Sequence, residues 1–325
     1  MPTEPYAHLT ATILAQLATA DPASWSPPWH GADPLPVNAL TGRRYRGLNT
    51  LVLWAAAQAQ DYTDPRWATY RQWAALGAQV RKAERGTAIV FYKDLPADAE
   101  GDAAPGQPGP RFVARASHVF NAAQVDGAPD RTGSAAGPMG DGLDPADEQV
   151  LSTFLATTGA RIIPGGKHAC YSTASDTIRL PARSAFPTFS GYAGTIIHEL
   201  VHWSGAAHRL ARDLTGRFGS RAYAAEELVA EIGAAFVLAD IGLVRTPHPD
   251  HAAYCAAWAT LLRDDPRALT TAARLAAQAA GYLGAYMPPA ASDTADGGTC
   301  PGPAEPDEAG RGASDPGGAE PGIAA

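Results

Sequence analysis

The sequence predicts an α+β protein of two domains, an α+β domain followed by a mainly helical domain with a small sheet. A length of 325 residues with 46% hydrophobic residues is enough for two cores, and two domains is the better expectation at this length. Helical and strand-like patterns alternate in the first third of the chain, whereas helical spacing dominates its last third. A stretch rich in Gly, Ala and Ser separates the two regions. The expected boundaries are 1–129 for the first domain, 130–143 for the linker, 144–287 for the second domain and 288–325 for an acidic tail.

Helices and strands are both expected in the first domain. Apolar residues at helical spacing predict one helix over Tyr6–Ala20 and another over Leu48–Gln60, and a third helix is expected to begin in Arg66–Trp73. The runs Ala88–Lys93 and Phe112–Phe120 are typical of two strands. The loop between them is rich in Pro, Gly and Ala, so we expect the two strands to form a hairpin.

The second domain is expected to be built mainly from helices. Its first helix begins after Asp144-Pro145, because Asp is a good N-cap and Pro suits the first turn. Short strands are expected at 161–163 and 177–180. Residues 176–180 are either an edge to which an extended peptide can add or an ordinary strand of the sheet. Further helices are expected around 195–203 and over 221–240, 254–262 and 267–283.

Composition argues against several classes of protein. No apolar run approaches the ~20 residues of a membrane span, and the N-terminus lacks the basic-then-apolar signal pattern, so we expect a cytoplasmic protein without a membrane partner. Cys170, Cys255 and Cys300 have neither metal nor disulfide spacing, which suits a reducing compartment. The net charge of −8 argues against a uniformly basic nucleic-acid binder, but the tail holds seven acidic residues against Arg311. We expect that tail to be disordered.

The run His198-Glu199-Leu200-Val201-His202 contains the pattern H-E-x-x-H. On an α-helix, residues four apart lie one above the other, so both imidazoles face the same side and can bind one Zn²⁺. Glu199 then lies beside the open coordination position, where its carboxylate can accept a proton from water activated by the metal. The pattern therefore predicts a zinc site in which Glu199 is the catalytic base.

A tetrahedral zinc site needs a third protein ligand, and the residues leave two candidates open. His208 completes the longer pattern H-E-x-x-H-x-x-G-x-x-H, in which Gly205 lets the chain turn and return a third imidazole. Glu227 lies on the apolar face of the next predicted helix, four residues before Glu231. One of these glutamates can bind the metal while the other holds a ligating imidazole from behind. Glu226 is expected to lie off that face.

Residues 38–93 carry nine basic side chains against three acidic ones, interleaved with aromatic residues. Cations follow a phosphate backbone and aromatic rings stack on unpaired bases of any sequence, so this combination is typical of a single-strand binder. The alternative is that the same Arg and Trp residues form ordinary helix surfaces and cores. The predicted contact residues are Arg43, Arg44, Tyr45, Arg46, Asn49, Trp67, Tyr70, Arg81, Lys82 and Arg85.

Four stretches of the second domain form a further pattern, namely the run from His198 to Gly205, Arg209-Leu210, Tyr223–Phe236 and Ser175–Pro181. In these stretches the domain resembles the zincin-type metallopeptidase domain of the ArdC antirestriction family. In zincins of this architecture the third metal ligand is a glutamate on a second helix. The resemblance therefore implies Glu227 as the third ligand, with Glu231 orienting a histidine.

The first domain resembles the N-terminal domain of the same family, which is similar to the N-terminal region of plasmid TraC primases and binds single-stranded DNA. Four motifs in the same order carry this resemblance, namely Leu35–Asn49, Arg66–Gln72, Leu76–Thr87 and Val119–Gly127. The family usually has a glycine within the basic turn, where this chain has Ala83. If that turn requires a positive φ, the alanine is strained.

The resemblance implies an antirestriction protein that coats incoming single-stranded DNA during plasmid conjugation and protects it from endonucleases. Its zinc-dependent metallopeptidase domain would act on a protein or peptide substrate. Two alternatives stay open. The chain can be a single-stranded-DNA-protecting module whose metal site is structural, or a free-standing intracellular metalloprotease whose N-terminal domain binds protein.

Overall fold

The computed structural model describes residues 4–19, 25, 27–31, 34–94, 112–130, 145–217, 219–245 and 251–287. Most of the predicted linker, the loop of the predicted hairpin and the acidic tail lie outside these ranges. The domain boundaries therefore stay predictions, whereas the α+β class with helices and small sheets in two domains is confirmed.

In its described residues, the N-terminal half combines three α-helices with six strands. The helices are α1 (Glu4–Thr19), α2 (Leu48–Ala59) and α3 (Tyr70–Ala75), and the strands are β1 (Val37–Asn38), β2 (Arg66–Ala68), β3 (Gln79–Val80), β4 (Thr87–Asp94), β5 (Phe112–Asn121) and β6 (Val125–Asp126). One sheet has the order β1-β2-β5-β4, in which β1 and β2 are parallel and the other pairs antiparallel. Strands β3 and β6 form a separate antiparallel pair. The predicted pairing of the two long strands is confirmed.

The helix predicted to begin in Arg66–Trp73 starts at Tyr70, and the first three residues of that run form a strand instead. Residues Arg66–Ala68 form strand β2, because Trp67 pairs with Asn38 on one side and Asn121 on the other. The helix begins only after Thr69, whose side-chain oxygen accepts a hydrogen bond from the backbone N–H of Gln72. The Gln72 side chain accepts in return from the backbone N–H of Thr69, so a capping box sets the start of α3.

The part of the C-terminal half that the structure describes contains five α-helices and one small sheet. The helices are α4 (Pro145–Thr158), α5 (Phe189–Ser204), α6 (Arg221–Asp240), α7 (His251–Asp264) and α8 (Ala268–Gly284), and the strands are β7 (Arg161–Pro164), β8 (Cys170–Ser172) and β9 (Thr177–Leu180). The five expected helices and the two expected strands are confirmed. Of the two interpretations of 176–180, the edge strand is wrong and the ordinary sheet strand is confirmed, because β9 lies between β7 and β8. Both β7 and β8 are edge strands, and the sequence did not predict β8. Within the described ranges, no helix is both long enough and apolar enough to cross a membrane.

The two halves share one hydrophobic core. The rings of Trp54 in α2 and Phe236 in α6 lie 5.7 Å apart, centroid to centroid. The guanidinium of Arg245 lies 4.1 Å from the centroid of the Trp54 ring and donates from Nε to the backbone oxygen of Trp29 at 2.8 Å. The N-terminal half is therefore packed directly onto the helices that follow the H-E-x-x-H segment.

A glycine sets the distance between α5 and α6. A Cβ atom added at Gly233 would lie 2.9 Å from Cγ1 of Val201, closer than side-chain atoms tolerate. Glycine costs roughly 0.5–1 kcal/mol in a helix interior, so its presence here indicates that close approach of the two helices is what matters. This approach brings the first half of α6 against the histidines of α5.

The basic turn contains the strain that the sequence suggested. Ala83 has a φ of +71°. For a residue with a Cβ atom this left-handed conformation costs about 1–2 kcal/mol relative to a right-handed one. The turn between β3 and β4 keeps the shape that a glycine would allow at no cost.

We expect Gly233→Ala to lower the free energy of unfolding by about 1–2 kcal/mol, because overpacking against Val201 outweighs the better helix propensity of alanine. Gly281→Ala in α8 is the matched control, since a Cβ atom there meets nothing within 4 Å. That control should gain about 0.5–1 kcal/mol. Urea denaturation of both variants measures the difference, and a gain of stability in both would contradict the helix-spacing argument.

Candidate metal centre

Helix α5 presents two histidines on its buried side. The helix starts because the Thr188 side chain accepts a hydrogen bond from the backbone N–H of Gly191 at 3.1 Å, and it ends at Ser204. His198 and His202 are one turn apart, and their Nε2 atoms lie 3.2 Å from each other. Both imidazoles are thus directed at one point, as the four-residue spacing predicts.

Helix α6 brings Glu227 to the same point. Its Oε2 atom lies 3.3 Å from Nε2 of His198, and its Oε1 atom lies 3.7 Å from Nε2 of His202. One ligand atom from each of the three residues lies within 4.8 Å of the others. Ligand atoms held tetrahedrally by a zinc ion at ~2.0–2.1 Å lie about 3.3 Å apart. The donor set and its spacing therefore fit a divalent metal ion.

His208 lies outside this cluster. Its side chain is 65% exposed, and its Nε2 atom lies 3.5 Å from a carboxylate oxygen of Asp176. The neighbouring Arg209 holds the loop in this position, since it pairs with Asp176 and its guanidinium lies 3.9 Å from the ring centroid of Trp203. The three-histidine alternative is therefore not compatible with the structure.

Gly205 does not have the role expected of it, which was to let the chain turn and return a third imidazole. Its φ of −79° is ordinary, so the residue makes no left-handed turn. A Cβ atom there would lie 2.8 Å from Nη2 of Arg212. The glycine is thus needed for the close approach of Arg212, which donates to the backbone oxygen of Val201 at 2.6 Å and so satisfies a carbonyl in the last turn of α5.

A carboxylate lies behind each of the two histidines. Oε2 of Glu231 lies 3.5 Å from Nδ1 of His198, and Oε1 of Glu226 lies 3.2 Å from Nδ1 of His202. Arg212 holds Glu226 in place with a hydrogen bond of 2.8 Å. Sequence reasoning missed Glu226 and Arg212. The helical pattern places Glu226 off the face of Glu227, but α5 crosses α6 so that both faces are within reach of a histidine.

The electrostatics of the centre favour a cation. Burial raises the pKa of Glu226, but hydrogen bonds from His202 and Arg212 outweigh it and lower the pKa below its ordinary value. The pKa of Glu227 is lowered in the same way, since the contacts with His198 and His202 outweigh burial. Both carboxylates are therefore ionised at neutral pH. Burial lowers the pKa of His198, but hydrogen bonds with Glu227 and Glu231 outweigh it and raise the pKa to about 10, so this imidazole must lose a proton to bind a cation.

The centre forms one wall of an open cavity of ≈ 240 Å³. Glu199 and the phenol of Tyr223 line it beside the histidines, and Cys170 and Tyr171 of the edge strand β8 line the opposite side. Burial, then hydrogen bonds with Tyr254 and Glu227, raise the pKa of Tyr223 above its ordinary value. Tyr223 is therefore a protonated hydrogen-bond donor at neutral pH.

Burial argues against two of the predicted DNA contacts. Tyr45 and Trp67 are 7% and 1% exposed, so their rings are not available to stack on unpaired bases. Asn49 is half-buried, and its side chain bridges α2 to β4 through hydrogen bonds to both backbone groups of Val90, so its contact with DNA stays a prediction. These three residues agree with the alternative interpretation, in which aromatic and polar residues of the segment form the core and hold the sheet.

The other predicted contact residues are at the surface. Arg43, Arg46, Tyr70, Lys82 and Arg85 have exposed side chains. Two further arginines are exposed but paired. Arg44 forms an ion pair with Asp240 of α6, and Arg81 pairs with Glu84 at 2.9 Å. Cations rather than stacked rings therefore dominate the described surface of this segment.

Comparison with protein families identifies both halves of the chain. Residues 3–121 match the family described as the N-terminal domain of anti-restriction factor ArdC. Residues 149–275 match the family described as a zincin-like metallopeptidase. The second match includes every residue of the candidate metal centre.

Several curated proteins are similar over most of this chain. The protein y4eC of Sinorhizobium fredii is 41% identical over 295 residues, which cover 88% of this chain and 93% of y4eC. Two Escherichia coli proteins named DNA primase TraC are each 37% identical and cover 88% and 83% of this chain. The matched regions are only 20% and 26% of those primases.

Solved structures agree with this assignment. The crystal structure of the antirestriction protein ArdC from plasmid R388, in a Mn(II)-bound form, is 34% identical with a TM-score of 0.68, and the match covers 87% of this chain and 97% of that one. The metal-free form of the same protein gives a TM-score of 0.69. The chain therefore belongs to the ArdC antirestriction family and combines its N-terminal domain with a zincin-like metallopeptidase domain.

Proposed function

We propose that this protein is an antirestriction protein that binds single-stranded DNA through its N-terminal domain and hydrolyses peptide bonds at a zinc ion in its C-terminal domain. The observation that carries the catalytic half is the convergence of His198, His202 and Glu227 beside Glu199 at the wall of an open cavity. In this proposal the incoming DNA of a conjugating plasmid is the nucleic acid, and a protein is the peptidase substrate.

His198, His202 and Glu227 would hold the ion, since two imidazoles and a carboxylate are the donor set of many catalytic zinc sites. When bound, a divalent cation supplies Lewis-acid activation of water and of the scissile carbonyl. Mn²⁺ is the alternative ion, because the similar ArdC structure from R388 is described as Mn(II)-bound.

The protein's own groups provide the proton transfers and the orientation. Glu199, buried in the cavity wall, accepts the proton that the attacking water loses and returns it to the amide nitrogen of the leaving peptide. Glu226 and Glu231 hold the Nδ1 atoms of the histidines, so that both Nε2 atoms stay directed at the centre. Tyr223 donates a hydrogen bond to Glu227 and restrains the third ligand.

The DNA-binding half of the proposal is supported by surface charge and by the relatives. Seven of the predicted contact residues are exposed, and six of these are cationic. Two proteins similar to most of this chain are named DNA primases, and the similar solved structures are of an antirestriction protein. Cations that follow the phosphate backbone give binding without sequence preference, which suits protection of any incoming strand.

We expect Glu227→Ala to remove the bound metal, because two histidines alone leave an open, weakly bidentate site. His208→Ala is the matched control and should keep its metal, since that imidazole lies outside the cluster. Elemental analysis of the purified full-length proteins for zinc and manganese measures both effects. A full equivalent of metal in Glu227→Ala would contradict the assigned ligand, and its loss in His208→Ala would favour the three-histidine site.

We expect Glu199→Gln to lower the rate of peptide hydrolysis by about 10²–10⁴-fold, because the amide cannot accept a proton. Metal content and affinity for DNA should not change. Hydrolysis of an unfolded protein such as casein measures the rate, and an unchanged rate would exclude Glu199 as the base. An endonuclease-protection assay with the same variant separates the two activities, because protection that survives intact would favour a DNA-protecting module with a structural metal site.

We expect affinity for a single-stranded oligonucleotide to fall steeply with salt, since each phosphate contact contributes about 0.7 to the logarithmic slope. Arg43→Glu combined with Arg46→Glu should flatten that slope by about one to two. Arg44 is left unchanged because its reversal would also unpair Asp240. Lys167→Glu, an exposed lysine of the other half, is the control and should keep the slope. Fluorescence anisotropy of a labelled oligonucleotide measures the affinity at each salt concentration. The absence of binding at low salt would contradict the proposed DNA-binding function.

A further inference from the structure

His30 of the N-terminal half is buried beside the candidate metal centre. Its side chain and that of Glu231 are each 4% exposed, and its Nε2 atom lies 2.9 Å from Oε1 of Glu231. The other carboxylate oxygen of Glu231 lies 3.5 Å from Nδ1 of His198. One carboxylate therefore connects a side chain of the N-terminal half with an imidazole of the centre.

We infer that His30 is a positioning residue of the metal centre, so that the N-terminal half completes a site whose ligands all come from the C-terminal half. By donating a hydrogen bond to Glu231, His30 holds the carboxylate that orients the His198 ring. This inference rests on the proposed metal-binding function of His198, His202 and Glu227.

The environment of the second histidine has the same arrangement. Glu226 lies behind His202, and Arg212 donates to Glu226 at 2.8 Å. Each histidine thus faces a carboxylate, and each carboxylate is held by a further donor. Arg212 belongs to the same half as the centre, whereas His30 comes from before the first strand of the chain. The His30 contact therefore joins the two halves at the site.

The backbone around His30 is held from both sides. The N–H of His30 donates to the backbone oxygen of Pro27 at 3.0 Å, which closes a turn. Gly31 exchanges two backbone hydrogen bonds with Arg245, of 3.0 and 3.1 Å. The Arg245 side chain, stacked on Trp54, also donates to the Trp29 oxygen. This framework fixes the position of the imidazole independently of Glu231, so His30 can act as an anchor.

The hydrogen bond from His30 preorganises the metal ligand His198 through Glu231. A buried carboxylate needs hydrogen-bond donors, and at 3.5 Å the contact of Glu231 with His198 is too long to hold it alone. With Glu231 held by His30, the His198 ring keeps its Nε2 atom directed at Glu227. Loss of the groups that orient a metal-binding histidine typically lowers metal affinity by about 10–100-fold.

The test compares full-length wild type with His30→Phe and His30→Gln. Phenylalanine keeps a buried ring but has no donor, whereas the glutamine amide can donate to Glu231. The dissociation constant for Zn²⁺ is measured by competition with a chelating indicator, and thermal melting of the metal-free proteins checks that each variant folds. We expect the dissociation constant to rise by about 10-fold or more in His30→Phe and to return to within about 3-fold of wild type in His30→Gln.

A control separates the hydrogen bond from general loosening of the N-terminal half. Ile13→Ala removes a buried side chain of α1, and Ile13 forms none of the hydrogen bonds that hold His30 or Glu231. It should lower the melting temperature yet keep the affinity for Zn²⁺. If His30→Phe does not fold, His30→Leu is the second variant without a donor.

Three results would overturn the inference. The first is an affinity for Zn²⁺ in His30→Phe within about 3-fold of wild type. The second is a loss of Zn²⁺ affinity in His30→Gln equal to that in His30→Phe. The third is an equal loss of Zn²⁺ affinity in Ile13→Ala. If wild type itself binds no Zn²⁺, the proposed metal function fails first and the inference fails with it. The two failures are therefore distinguishable, because the inference can fail on its own only if wild type binds Zn²⁺.

Discussion

The close contact of α5 with α6 is the constraint on which the candidate centre depends. Gly233 has no side chain where Val201 projects from α5, so the two helices approach nearer than any larger residue would allow. This spacing places Glu227 against both histidines and Glu226 and Glu231 behind them. A wider separation would leave each helix intact but would take the carboxylates out of reach of the imidazoles.

The centre concentrates negative charge in a buried position, and the surrounding structure is arranged to tolerate it. Four glutamates lie in the two helices, and Arg212 is the buried guanidinium that contacts one of them. Arg209, in the same loop, is turned instead to Asp176 and Trp203, where it holds His208 at the surface. The loop after α5 thus supplies one arginine to the centre and uses the other to keep a third histidine away.

The N-terminal half shows why residue type alone misassigns function. Aromatic residues interleaved with arginines are typical both of nucleic-acid surfaces and of the core of a small sheet, and the sequence pattern does not separate the two. Trp67 lies in a strand paired on both sides, so its ring is enclosed, whereas Tyr70 lies just past the Thr69 cap and stays exposed. The sheet pairing, which joins residues about fifty positions apart, decided which aromatic ring is available.

The sequence by itself determined the helices of the C-terminal half, the long strand pair of the N-terminal half and the shared helix face of His198 and His202, because each follows from spacing within one segment. It left the third ligand open between Glu227 and His208, placed Glu226 off the relevant face and gave no sign of His30 or Arg212. Only the tertiary structure shows which of these side chains lie at the centre, namely Glu226, Glu227, His30 and Arg212, and that His208 lies outside it. The physical reason is that each contact joins different segments across the shared core, and local periodicity carries no information about how two helices cross or which distant loop packs behind them.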